Sequence, residues 1–322
     1  MSAYIGIDVA KLTLDVVVLL DDSMKYRQTS NDECGWLDLH RWFQCLGVCN
    51  NHLCMESTGI YSQGVAYHFH ALGYPVSIVN PLRTRSFARS LLQRNKTDKS
   101  DAYVIALYCQ RMQPDMWHPK SEDSMRLRAL SRMLADLESD RVRCLNRAEG
   151  LASDNPAQPY IQAQIALFEA QQTQVQAEMD ALIASTDDLI RQRDLLKSIV
   201  GIGEKTANAL LGELPDLSCF ASSQELVAYA GLSPQRAESG TSVRRRTKLS
   251  KIGATRLRTL LYFPALAAKR HNPHLKIFAA RLIDAGKAKM VVIGAVMRKL
   301  LVLIYAILKS GQPYDREYGF AT

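Results

Sequence analysis

The first 110 residues switch repeatedly between two periods, and that alternation restricts the fold more than any other feature of the chain. Residues 4–7 and 12–20 are apolar and rich in β-branched side chains, with a short polar break at 8–11. They predict two adjacent strands. Asn31 or Asp32 can cap a helix running to about residue 46. Residues 53–56 read as a short strand, 62–72 as a helix, and 75–79 as a strand closed by Asn80-Pro81. From 83 to about 112 the pattern is helical, with a polar interruption at 95–100. Strands and helices alternating at this spacing indicate an α/β layered domain.

The middle of the chain changes character. Leu127, Leu130, Leu134 and Leu137, then Arg141, Cys144 and Ala148, follow a 3-4 spacing. After a break at 154–159, Ile161, Ile165, Phe168, Gln172, Val175, Met179 and Leu182 repeat it. Two such helices predict an antiparallel hairpin or coiled-coil arm. The Gln-rich outer side of the second leaves open both packing within the chain and dimerisation. From residue 195 the chain is compact and helical again, and Val200-Gly201-Ile202-Gly203-Glu204-Lys205-Thr206 has the form of a helix-hairpin-helix turn. Gly201 and Gly203 let the backbone turn sharply, so that the next helix's first amides, with Lys205 and Thr206, can face a phosphate. The 322 residues therefore divide into an α/β domain over 1–118, a helical arm over 119–192 and a mainly α-helical domain over 193–322.

Charge is localised. The formal net charge is +8. Between 236 and 270 lie ten basic residues, including Arg236, Arg244, Arg245, Arg246, Lys248 and Lys251, against the single acid Glu238. The run Arg244-Arg245-Arg246 has no acidic neighbour in sequence, the expected form of a face for a nucleic-acid backbone. The seven cysteines are odd in number and contain no Cys-x-x-Cys pair, which favours reduced thiols. Cys45, Cys49, His52 and Cys54 crowd together, so a zinc site is a lesser alternative there. The N-terminus lacks the marks of an export signal. The most apolar stretch, 291–308, carries Arg298 and Lys299 centrally and reads as a buried helix, not a membrane span. A cytoplasmic protein with no membrane partner is expected.

Acids stand at two strand ends and at one helix start. Asp8 follows Gly6-Ile7, Glu56 follows Cys54-Met55, and Asp98 and Asp101 sit three apart before residues 103–112. Spacing of three places both aspartates on one helix face. Singly, each has an ordinary explanation: Asp98 or Ser100 as a helix cap, Asp8 as a turn residue. Together they are what a two-metal phosphoryl-transfer site needs, because clustered carboxylates stay ionised only with cations between them, and hard oxygen ligands suit Mg²⁺.

The order Asp8, Glu56, Asp98-x-x-Asp101 on a strand-first α/β domain resembles the DEDD, RuvC-like domain of the IS110 class of insertion-sequence transposases. Gly201-Ile202-Gly203-Glu204-Lys205-Thr206 resembles that class's helix-hairpin-helix region. Ala228-Tyr229-Ala230-Gly231-Leu232-Ser233-Pro234 and Glu238-Ser239-Gly240-Thr241-Ser242 resemble its second block. The likeness runs from about residue 4 to 313. It departs at Ser57, where a small apolar residue is expected, and the departure leaves the neighbouring glutamate in place. The resemblance implies an RNase H-like fold for the first domain and Mg²⁺ held by the four acids. It further implies a recombinase guided by a bridge RNA that pairs with donor and target DNA, working as a homo-oligomer of two to four copies. Ser239 would attack the DNA phosphate and form a phosphoserine link. The residues alone support that role less directly. No histidine is near Ser239 in sequence, and Ser242 competes for the same position.

Two other readings account for part of the pattern. A hydrolytic RNase H-like nuclease or junction resolvase would use the four acids and no serine. A non-enzymatic nucleic-acid scaffold would use the arm and basic segment, but leaves acids that repel its own ligand unexplained.

Overall fold

The apolar N-terminal runs pair into one sheet in the computed structural model, which describes residues 3–21, 23–91, 97–119, 121–235, 238–239, 243–244 and 248–317, with the backbone alone at 238–239, 243–244 and 248. The chain forms two compact units, 1–119 and 120–322. In the first, β1 (Tyr4–Val9), β2 (Thr13–Leu20), β3 (Ser23–Ser30), β4 (His52–Glu56) and β5 (Val76–Val79) lie in the order β3-β2-β1-β4-β5. The β1–β2 and β2–β3 pairs are antiparallel, whereas β1–β4 and β4–β5 are parallel. The connecting helices are α1 (Glu33–Cys45), α2 (Tyr61–Ala71), α3 (Pro81–Ser90) and α4 (Asp98–Met112). One face of the sheet buries Ile5, Ile7, Leu14 and Val16 against Leu39, Phe43 and Phe69. The opposite face packs Val17 and Cys54 against Ala102, Ile105 and Ala106 of α4. Parallel strands covered on both faces explain the near-continuous apolar runs.

This is a mixed five-stranded sheet where the sequence predicted four strands. The strand it did not predict, β3, reads Ser-Met-Lys-Tyr-Arg-Gln-Thr-Ser and is almost wholly exposed. Edge pairing, not burial, makes it a strand, and its Lys25 and Arg27 are charges of the kind that blunt an open edge.

The second unit is mainly helical. Its elements are α5 (Glu122–Glu149), α6 (Gln158–Ala184), α7 (Asp187–Ser198), α8 (Glu204–Glu213), a 3₁₀ turn (Leu217–Cys219), α9 (Ser223–Tyr229), α10 (Thr255–Leu260), α11 (Tyr262–His271), α12 (Pro273–Asp284) and α13 (Lys289–Ser310). Between α9 and α10 lie four two-residue strands, β6 (Pro234–Gln235), β7 (Glu238–Ser239), β8 (Val243–Arg244) and β9 (Lys248–Leu249). They pair β6 with β9 and β7 with β8, a small β element inside a unit that is otherwise helical, as expected. Helices α5 and α6 run antiparallel, since Cys144 packs on Ile161 and Ile165 at one end while Leu127 shares a cluster with Met179 and Leu182 at the other. Leu127 also belongs to the core built by α7–α13. Helix α13 is long and apolar enough to cross a membrane, but half of that stretch is buried within the protein. Its Val292, Val296, Leu300 and Ile304 are fully buried in that core.

Candidate functional site

The first-unit site is set by how closely α4 approaches β1. A Cβ at Gly6 would lie 2.3 Å from the Ala102 carbonyl oxygen and from the Ala106 nitrogen, so only glycine lets the helix rest there. That contact fixes the α4 N-terminus near the C-terminal end of β1. Thr97 is the N-cap: its Oγ1 accepts from Ser100 N at 3.2 Å, and Ser100 Oγ accepts from Thr97 N at 2.9 Å. This reciprocal box corrects the expectation that Asp98 or Ser100 caps the helix. It leaves both Asp98 and Asp101 in the first turn, where the helix dipole favours negative charge.

Asp8 lies near the end of β1 and Glu56 ends β4. The parallel register pairs Ile7 with Met55, so the two acids follow each other's strands by one residue. The Asp8 carboxyl is pushed up to about 6, first by burial and then by the negative charges of Asp101, Glu56, Asp98 and Asp15, in that order. The four acids named from sequence therefore act on one another. Among the described residues, no Lys or Arg forms an ion pair with Asp8 or Glu56. A divalent cation suits such a donor set. Among the described residues, no three His, Cys, Asp or Glu side chains already stand at ligating distance of a common point. The acids are gathered but not drawn in.

Two residues around this site, Asp15 and Thr84, escaped the sequence reading. Asp15, directly across from Asp8 in the β1–β2 register, is 3% exposed. Its Oδ1 accepts from Tyr26 Oη at 2.5 Å and from Gln28 Nε2 at 3.1 Å. Buried Thr84 on α3 donates a short hydrogen bond to Glu56 Oε1. Asp15 had a visible signal, a lone acid inside an apolar strand. Thr84 had none. The lesser zinc alternative does not hold: Cys45 and Cys49 are exposed, Cys54 is buried, and His52 Nε2 is taken by Ser77 Oγ at 2.7 Å.

In the second unit, Gly201 has φ +109 and its Cβ position would meet the backbone of Ala268 at 2.8 Å, so α7 turns into α8 tightly against α11. Gly203 is the α8 N-cap and supplies no side-chain hydrogen bond. With Lys205 and Thr206 it lines a small cleft that Gln176 and Asp180 close. The loop between α9 and α10 is clamped at its base. Gly253 has φ +134 and sits where a Cβ would be 2.1 Å from the Tyr229 carbonyl oxygen. Ser250 N donates to Ser233 O at 2.9 Å and Lys251 N to Gly231 O at 3.1 Å. Lys251 itself is exposed with φ +56. Arg258, counted among the basic face, instead braces this clamp by donating to Ala230 O at 3.1 Å and Lys251 O at 3.4 Å. Arg256 pairs with Asp136 at 3.4 Å. Ser239 pairs with Val243 in a two-residue ladder. The side chains of Ser239, Arg244 and Lys248, and all of Arg236, Arg245, Arg246 and Ser242, lie outside the described residues.

A carboxylate-gathering RNase H-like sheet followed by a basic, mainly helical unit is the arrangement of a DNA-processing recombinase. Residues 5–153 match the transposase family of DEDD type, and residues 193–280 match the "Transposase IS116/IS110/IS902 family". The chain is 33% identical over 318 residues, 98% of each chain, to the "Pilin gene-inverting protein" of Moraxella bovis, and equally to that of Moraxella lacunata. It is 25% identical over 307 residues, 85% of this chain and 88% of the other, to the "Transposase for insertion sequence element IS1328" of Yersinia enterocolitica. The chain belongs to the IS110 family of transposases and is a DNA transposase or recombinase.

Proposed function

We propose that this chain performs site-specific DNA recombination by a covalent route, with Asp8, Glu56, Asp98 and Asp101 as the Mg²⁺-holding acids and Ser239 as nucleophile. The observation that carries it is the convergence of negative charge on Asp8 in a chain of this family. Mg²⁺ bound there would supply Lewis acidity at the phosphate oxygens. The chain's own residues do the rest. Thr84 orients the Glu56 carboxylate, the Thr97–Ser100 box holds Asp98 and Asp101 in the first turn, and the clamp at 229–254 fixes both ends of the loop that carries Ser239.

In the first transfer, Ser239 Oγ attacks phosphorus, the bond to one sugar oxygen breaks, and that oxygen takes up a proton as serine loses one. A sugar hydroxyl of the second DNA then attacks the same phosphorus, and serine regains its proton. Phosphodiester bonds are conserved, so no external energy source is needed. The relatives' names, gene inversion in one pair and transposition in another, support exchange between defined sites. Family membership is what supports pairing of donor and target DNA with a bridge RNA, assembly of two to four copies, and action on the nucleoid in the cytoplasm.

The experiment traps protein–DNA adducts under denaturing conditions. The parent forms an adduct at Ser239, Ser239→Ala binds DNA and forms none, and Ser242→Ala behaves as the parent. Asp8→Ala, Glu56→Ala, Asp98→Ala and Asp101→Ala each lose Mg²⁺-dependent strand exchange. An adduct mapped to another residue removes Ser239 from the reaction. Cleavage without any adduct makes the reaction hydrolytic.

A further inference from the structure

A second basic surface lies beyond the loop. Between residues 271 and 309 there are seven basic residues and one acid, Asp284. The acidic arm masks this excess in any whole-chain sum. Lys276, Arg281, Lys287, Lys289 and Lys299 are all exposed, and among the described residues none of them forms an ion pair. They belong to the hairpin of α12 and α13, which pack on one another.

Two observations separate this surface from ordinary solvated charge. Arg281 from α12 and Lys299 from α13 each lie 5.7 Å from the centre of the same ring, Phe278. Two cations are thus held against one aromatic ring, and neither forms an ion pair among the described residues. At the other end, Lys287 and Lys289 flank the start of α13, whose first turn contains no acid and whose N-cap makes no side-chain hydrogen bond. Positive charge there opposes the helix dipole, so these lysines cost the helix stability instead of adding to it. From Lys289 to Lys299 is about 15 Å along the helix at about 1.5 Å per residue. A duplex presents roughly nine phosphate charges over that length, at one per about 1.7 Å.

We infer that the α12–α13 hairpin is a second DNA-docking surface, which grips the duplex backbone through Arg281, Lys287, Lys289 and Lys299 and does not read sequence. Duplex DNA is the occupant because the family acts on DNA, and because unpaired cations interspersed with exposed Ile283, Met290 and Val291 match a phosphate backbone and its sugar edges. The inference stands apart from the serine and bridge-RNA readings, neither of which it uses.

The test measures the affinity of the full chain for a random-sequence duplex as salt is varied. The variant Arg281→Gln/Lys287→Gln/Lys289→Gln/Lys299→Gln should flatten the log–log slope by about 0.9 per lost contact, up to about 3.6 in all. A control neutralising exposed Lys25, Arg41, Arg143 and Arg191 should leave the slope near that of the parent. A second readout avoids mutation: duplex should protect Lys287, Lys289 and Lys299 of the parent from chemical acetylation and leave Lys25 reactive. An unchanged slope with a native melting curve overturns the inference. So does equal flattening by the control, or lysines acetylated at the same rate with and without DNA. A slope that changes for single-stranded RNA of equal length but not for the duplex refutes DNA as the occupant.

Discussion

Replacing Asp8 by Asn should stabilise the metal-free protein at pH 8 and remove its response to Mg²⁺. The Asp8 carboxyl sits near 6 in the folded chain against an ordinary 3.8, through burial and the charges of Asp101, Glu56, Asp98 and Asp15. The folded state therefore holds a proton that the unfolded state has already released, and unfolding free energy falls as pH rises from about 4 to about 6. Above that window the penalty is complete and constant. A shift of this size corresponds to about 3 kcal/mol at most. Asp8 is only partly buried, and solvent screening reduces the expected penalty to about 1–2 kcal/mol. Asn keeps the shape and loses the charge, so the melting temperature of the first unit should rise by about 4–8 °C at pH 8, for a unit of about 120 residues. At pH 4 parent and variant should coincide. Calorimetry with and without Mg²⁺ checks both halves, because the cation should raise the parent's transition at pH 8 and leave the variant's in place. Equal melting of parent and variant at pH 8 would refute the argument that the acids repel one another. Mg²⁺ stabilising Asp8→Asn as much as the parent would refute Asp8 as a ligand.

Gly6→Ala inserts a methyl where the α4 backbone stands at 2.3 Å; it should cost about 1–3 kcal/mol and lower strand-exchange activity, measured by denaturant titration beside an exchange assay. Glu213 is 6% exposed and accepts from Arg132 Nε at 2.6 Å and Nη2 at 3.1 Å, and its carboxylate stands 3.7 Å from Arg128 Nε, a buried atom with no hydrogen-bond partner among the described residues. Glu213→Gln leaves those guanidiniums uncompensated and should cost about 2–4 kcal/mol, read from the urea midpoint of the second unit. Neutralising Arg244, Arg245, Arg246 and Lys248 together should flatten the salt dependence of duplex binding by about 0.9 per lost phosphate contact; an unchanged slope makes that cluster a solvated face.

The legible parts of the site were those whose chemistry disagreed with their surroundings. Asp8 and Glu56 stand out because each ends an apolar strand, and Asp98 with Asp101 because they precede an apolar helix. The strand pairing that makes Asp15 the cross-strand neighbour of Asp8 depends on register, which residue spacing does not specify until the turn at 10–12 is known. Ala10 N donates to Thr13 O there at 2.9 Å. Thr84 was invisible for a different reason: its role comes from α3 folding back on β4, a long-range contact. β3 was missed because its partner, not its composition, makes it a strand. In the basic segment, a count of charges could not separate Arg258, spent on carbonyls at 230 and 251, and Arg256, paired with Asp136, from arginines available to a ligand.

Charge divides between the two units in a way that assigns them different work. Residues 1–119 carry 11 basic and 11 acidic side chains, whereas 120–322 carry 29 and 21, so the whole excess of +8 belongs to the second unit. A phosphate brought to the acids of the first unit meets repulsion of about 4 kcal/mol per charge pair at about 4 Å, for an effective dielectric near 20. That unit has no net positive charge with which to offset it. Attraction for the polyanion must come from the second unit, where the loop after α9 and the α12–α13 hairpin concentrate cations against one acid each, Glu238 and Asp284. The acids then need only a local cation to admit one phosphate. Salt should therefore act chiefly on binding, through the phosphate contacts of the second unit. Removal of divalent metal should act chiefly on the chemical step, with DNA still held.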